Sequence, residues 1–176
     1  MALAKLIEEA KQVYHVADLD CGDALLPPLE RGEVDSLAKA LALPVPSELC
    51  EVYAVHGGQN YFPPGTAGLF GQHRLHTPAE VVEHFRMFND NCLLDPLPPF
   101  PPPADEWGYW VPHLIPFASW DAYDLCLHAF TGDVWEFIPN TGLIRHRPTI
   151  AAVVQEVIEA VRSGGAPQLG QMRGPA

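Results

Sequence analysis

The histidines between positions 73 and 84 are the side chains in this 176-residue sequence with the clearest capacity for chemistry. His73 and His76 form an HxxH pair, and Glu80 and His84 follow at spacings of four. On a helix beginning before His76, the side chains of His76, Glu80 and His84 would share one face and hold a zinc ion. The local helix-start signal opposes this. Thr77 is a good N-cap, Pro78 suits the first helical position and Glu80 completes a capping box, so His76 falls outside the helix. Surface histidines beside a helix start are the plainer reading. A thiol offers a second chemistry. Cys126 and His128 lie two apart in an alternating run and project to one face of a strand, as a nucleophile and its base would. Cys50, Cys92 and His56 are the other thiol and base candidates. No third group orients the pair, no GxSxG elbow occurs, and Leu125-Cys126-Leu127 suits a buried strand centre. P-loop, GxGxxG and EF-hand patterns are missing. The turn Gly68-Leu69-Phe70-Gly71 is too short and apolar to cradle a phosphate. A metal- or thiol-dependent hydrolase built on His73, His76 and His84 or on Cys126 and His128 is therefore the second expectation. The first is a protein with no catalytic residue, bound metal or cofactor.

A binding function has its own residues. Trp107, Trp110, Trp120 and Trp135 are interleaved with Asp105, Glu106, Asp121, Asp124, Asp133 and Glu136. Protein interfaces concentrate tryptophan and tyrosine anchors, and acids around them steer a basic partner. Trp110 and Trp135 are expected in the core, with Trp120, beside a turn, the most exposed. The partner-binding candidates are Trp107, Trp120, Asp121, Asp124 and Asp133. With 22 acidic against 10 basic residues the net charge is −12. Such a surface repels phosphate backbones and anionic membranes and suits a basic protein partner, although acidity also serves plain solubility. Cysteines at 21, 50, 92 and 126 form no CxxC pair, which fits thiols with packing roles in a reducing cytosol. The opening MALAKLIEEAKQVY lacks the pattern of a secretion signal, and no run is long enough to span a bilayer. A soluble, cytoplasmic protein is expected.

The elements that must position these residues follow from periodicity and punctuation. Leu3, Leu6, Ile7, Ala10, Val13 and Tyr14 recur at helical spacing, so a helix is expected over residues 1–14, then a loop over 17–31. Val34, Leu37, Ala38 and Leu41 mark a second helix that stops before Pro44. Pro46-Ser47-Glu48 opens a third, with Leu49, Val52 and Tyr53 inward and Gly57-Gly58 ending it. After the break at Pro63-Pro64-Gly65, a first strand is expected over 67–70. The Thr77-capped helix buries Val81, Val82, Phe85 and Phe88. Residues 95–103 hold six prolines in nine positions, a stiff extended surface loop and only secondarily a ligand for a proline-binding module. From 115 to 137 an antiparallel hairpin forms the sheet centre. Residues 115–118 lead to a turn at 120–122. Tyr123, Leu125 and Leu127 then face one side, with Asp124, Cys126 and His128 on the other. Thr131-Gly132-Asp133 turns into a strand over 134–138, and 141–147 adds another. Ile150, Val153, Val154, Val157, Ile158 and Val161 form the stripe of a closing helix, which Ser163-Gly164-Gly165 ends. Residues 166–176 are a loosely held tail. Helices, then strands, then a helix predict a single α+β domain over 1–165, with a mixed, largely antiparallel sheet flanked by helices.

The order of motifs resembles the SUKH superfamily, and within it the SMI/KNR family. Leu43-Pro44, the helix through Tyr53 and His56-Gly57-Gly58 look like that family's opening, and Leu69-Phe70-Gly71 like its next strand. A loop bearing Trp107 and Trp110, then Ile115-Pro116-Phe117, Leu125-Cys126-Leu127, Gly132-Asp133 before Val134, and a closing helix continue the succession over roughly 34–161. Tyr123-Asp124 stands where the family carries Gly-Asp, and Pro148-Thr149-Ile150 where it often has Ser-Phe. The first helix and the proline loop lie outside the shared pattern. The resemblance implies an α+β fold without catalytic activity. Bacterial members are regarded as immunity proteins that bind and neutralise polymorphic toxins, often basic nucleases, while fungal relatives regulate cell-wall assembly through protein contacts. It also implies that Asp124 occupies the family's acidic position. The expectation is an immunity protein of toxin–antitoxin type with a basic toxin as partner. A regulatory scaffold with a non-toxin partner is the alternative.

Overall fold

Two cap signals set the helices that bracket the sheet. The Thr77 hydroxyl accepts from the Glu80 N–H and the Glu80 carboxylate accepts from the Thr77 N–H, which starts α4 (Pro78–Asn91) where the sequence places it. Thr149 caps α5 (Ile150–Arg162) through the Ala152 N–H. A computed structural model describes residues 3–19, 21, 24–61, 67–102, 109–139 and 141–165. Ahead of α4 come α1 (Leu3–Val16), α2 (Arg31–Leu41), α3 (Ser47–Tyr53) and β1 (Arg74–Leu75). Between α4 and α5 lie β2 (Leu114–Trp120), β3 (Tyr123–His128), β4 (Val134–Ile138) and β5 (Gly142–Arg147). The expected tail over 166–176 and the Pro63-Pro64-Gly65 break lie outside the described residues.

The five strands make one sheet in the order β1-β2-β3-β4-β5, every pair antiparallel. The domain is therefore α+β, and the sheet contains no parallel pair. Short turns explain this from β2 to β5, since tight turns join antiparallel neighbours, whereas β1 reaches β2 through α4 and still pairs antiparallel. The first strand departs from expectation. Residues 67–70 form only isolated bridges (Gly68 with Gly71, Phe70 with His73), and the edge strand is Arg74–Leu75, paired with Ser119 and Ala118. Gly68 presses so closely on the His73 backbone that the segment folds back on itself instead of extending along β2.

Both faces of the sheet are covered. Leu125 and Leu127 join the main core, built with Leu6, Ile7, Leu49, Val52, Val154, Val157 and Ile158 from α1, α3 and α5. Cys126 and Phe137 on the opposite face meet Phe88 of α4 and the buried Trp110. Each fully buried side chain of this size contributes about 1.5–3 kcal/mol. Phe100 of the proline loop seals the edge of this second layer, stacked 4.9 Å from His128 and edge-on to Trp135 at 5.5 Å. Trp110 is core as expected, but Trp135 is only half-buried beneath Phe100, and Trp120 is the most exposed of the three described tryptophans. Gly57 and Gly58 are explained by close approach. A side chain at Gly57 would strike the Pro27 carbonyl, and Gly58, at φ 145°, abuts the Thr77 cap. Among the described residues, no helix is long and apolar enough to cross a membrane.

Candidate functional site

The structure distributes the predicted binding residues over different places. Trp120 and Asp121 come together at the tip of the β2–β3 hairpin. Trp120 pairs with Tyr123 as the last rung of the ladder, and Asp121 turns the chain with φ at 53°, a left-handed conformation that aspartate tolerates. The Trp120 ring stacks on Tyr123 at 5.5 Å with 27° between planes and is 42% exposed. Asp133 lies at the other end of β3, a strand of six residues, roughly 17 Å from the tip. There it accepts from the Thr131 hydroxyl at 2.8 Å and faces His146 at 3.3 Å. Trp107 lies outside the described residues. Asp124 is not on the rim where strand alternation put it. It is 3% exposed, because α4 covers the face that alternation left open.

Asp124 instead belongs to a cluster that joins three elements. Its Oδ1 lies 3.0 Å from Nδ1 of His84, on the second turn of α4. The His84 ring is in turn 4.3 Å from that of His76, the residue before the α4 cap. The His76 Nδ1 donates to the Pro116 carbonyl of β2 at 3.2 Å. That bond fixes the tautomer and leaves the Nε2 lone pair 2.7 Å from the Ser119 hydroxyl. Burial, with His84 nearby, lowers the His76 pKa to about 4, so its ring is neutral. The hydrogen bond that His84 donates to Asp124 raises the pKa of His84 above its ordinary value against the opposing effect of burial. Donor atoms from His76, His84 and Asp124, one from each, all lie within 4.8 Å of one another.

His73 takes no part in this cluster. Residues 73 and 76 are an odd number of positions apart along extended chain, so their side chains leave on opposite sides. The His73 ring is buried with neither nitrogen hydrogen-bonded among the described residues, and burial pushes its pKa down to about 3. Glu80 is committed to the cap and to Arg74, at 2.6 and 3.1 Å. The Cys126–His128 pair is not assembled either. Cys126 is fully buried, its thiol pushed well up by desolvation, and it points weakly at the Asp124 carbonyl at 3.9 Å. His128 Nδ1 instead accepts from the Thr131 N–H at 3.2 Å.

Sequence spacing therefore found His76 and His84 but missed Asp124 as their partner, which lies 40 residues from His84. The available signal was an acid inside an otherwise apolar strand, a position that needs a buried partner. No protein-family model matches the chain, and no curated protein matches it by sequence.

Proposed function

We propose that this chain is a non-enzymatic protein-binding domain, an immunity protein of the SUKH type that neutralises a basic toxin by occluding it. The hairpin tip carries this reading. A large aromatic side chain, stacked on Tyr123 and held on a rigid two-stranded support, stands in solvent beside an acid fixed by its turn. At 42% exposure Trp120 offers roughly 100 Å² of surface, worth about 2 kcal/mol when a partner covers it. Rigid aromatic anchors of this kind dominate binding energy. The net charge of −12 supports a basic partner and fast, salt-sensitive association. The order of motifs shared with the SUKH pattern supports the toxin-neutralising role.

The test searches the genes flanking this one for a toxin domain and titrates it against wild type and against a Trp120→Ala, Asp121→Lys variant, with growth rescue of toxin-expressing cells scored alongside. The variant is expected to bind at least about tenfold more weakly and to lose part of the salt dependence. Undiminished affinity and rescue would remove the hairpin tip as the binding site. A neighbouring toxin that the wild type does not bind would favour a regulatory scaffold.

A further inference from the structure

We propose that His76, His84 and Asp124 form a binding site for one divalent transition-metal ion, with zinc the ion that best fits the donor set. This goes beyond the protein-binding role and does not depend on it. Two imidazole nitrogens and a carboxylate oxygen suit zinc, which takes such donors at about 2.0–2.2 Å. A tetrahedral ion holds its donors roughly 3.3–3.5 Å apart. The His84–Asp124 pair is already at 3.0 Å, and no pair of donors exceeds 4.8 Å, so modest side-chain rotation closes the set.

The orientation of His76 fits the same purpose. Metal-bound histidines usually donate their second ring N–H to a carbonyl or carboxylate, which aims the free lone pair at the ion. Here the Pro116 carbonyl accepts from the Nδ1–H and Nε2 is left available, with the Ser119 hydroxyl as its present neighbour. The supports are rigid, because the donors come from the residue just before the α4 cap, the second turn of α4 and β3. Entry is open from the His84 side, whose side chain is 29% exposed while Asp124 is buried. Glu80 and Glu83 add negative potential around His84, while Arg74 opposes it at His76. Three protein donors leave a fourth position for water or the Ser119 hydroxyl. An ion held there ties α4 to β3 and stabilises the domain by mass action.

Tag-free protein stripped with chelator and titrated with zinc and with cobalt tests this. One equivalent of zinc is expected to bind with a dissociation constant in the micromolar range or below and to raise Tm. Cobalt is expected to give visible d–d bands without a thiolate charge-transfer band. His84→Ala and Asp124→Asn should each weaken binding at least about tenfold. A His113→Ala, His146→Ala variant, which removes the histidine just before β2 and the one on β5, should bind as wild type does. Circular dichroism of the stripped variants checks folding, and if both misfold, the stoichiometry and cobalt spectrum of the wild type decide. Weak or non-stoichiometric uptake, a thiolate band, or full binding by folded His84→Ala would overturn the proposal.

Discussion

Replacing Glu80 by glutamine tests how α4 is anchored. The Glu80 carboxylate accepts from the Thr77 N–H and hydroxyl at 2.8 and 2.9 Å, and from both terminal nitrogens of Arg74. Arg74 is buried and also donates to the Gln59 carbonyl at 2.6 Å, so Glu80→Gln removes the carboxylate that pairs with its guanidinium. Breaking a fully buried pair costs about 3–5 kcal/mol. The Glu80 side chain is 28% exposed, and solvent screening brings the expectation to about 2 kcal/mol, or about 4–8 °C in Tm for a domain of this size.

The pH dependence gives a second readout. Burial pushes the Glu80 pKa up, but the Arg74 and Thr77 hydrogen bonds and the Arg74 charge outweigh it and hold the pKa down at about 2. A folded-state pKa below the unfolded value stabilises the fold above the unfolded pKa, and that contribution drains as pH falls from about 5 toward 2. Screened, it amounts to about 1–2 kcal/mol. Urea titrations followed by circular dichroism at pH 7 and pH 3 should show a gap between wild type and Glu80→Gln that narrows at the lower pH. A gap below about 0.5 kcal/mol at pH 7, or one equally wide at both, would refute the reasoning.

Two other outcomes follow from backbone and thiol burial. Gly68→Ala would drive a methyl group into the His73 carbonyl, which already accepts from the Phe70 N–H at 3.2 Å. A loss of about 2–3 kcal/mol is expected, and an unchanged thermal midpoint would show that the turn yields freely. With a thiol-specific reagent, Cys126 should react only on unfolding, whereas half-buried Cys92 should react in the native protein. Peptide mapping of the label checks both, and rapid native modification of Cys126 would contradict its place in the sheet.

What the sequence made legible was local. Thr77, Pro78 and Glu80 announce a helix start because cap, first residue and capping box lie within one turn of chain. The stripe from Ile150 to Val161 is buried throughout, as its period requires. Leu69 and Phe70 misled because two apolar residues suit either a strand or a tight turn, and Gly68 and Gly71 decide for the turn through contacts made after folding. The two faces of β3 were readable, but not what covers the second, since α4 and Phe100 arrive from distant parts of the chain. For that reason Asp124 read as a surface acid. Its bond to His84 joins a strand to a helix, and no spacing rule reaches across such a distance.

The packing of α1 along α5 has a consequence during synthesis. Leu3, Leu6, Ile7 and Ala10 find their cover largely on α5, and Glu9 meets Arg162 at 2.7 Å. Of the described helices, α1 leaves the ribosome first and α5 last, with translation adding about 5–20 residues per second. The apolar stripe of α1 therefore waits on the order of ten seconds or more for its partner. Throughout that interval the sheet can assemble from neighbouring hairpins while α1 remains a client for a chaperone. Only the arrival of α5 completes the cover of that stripe.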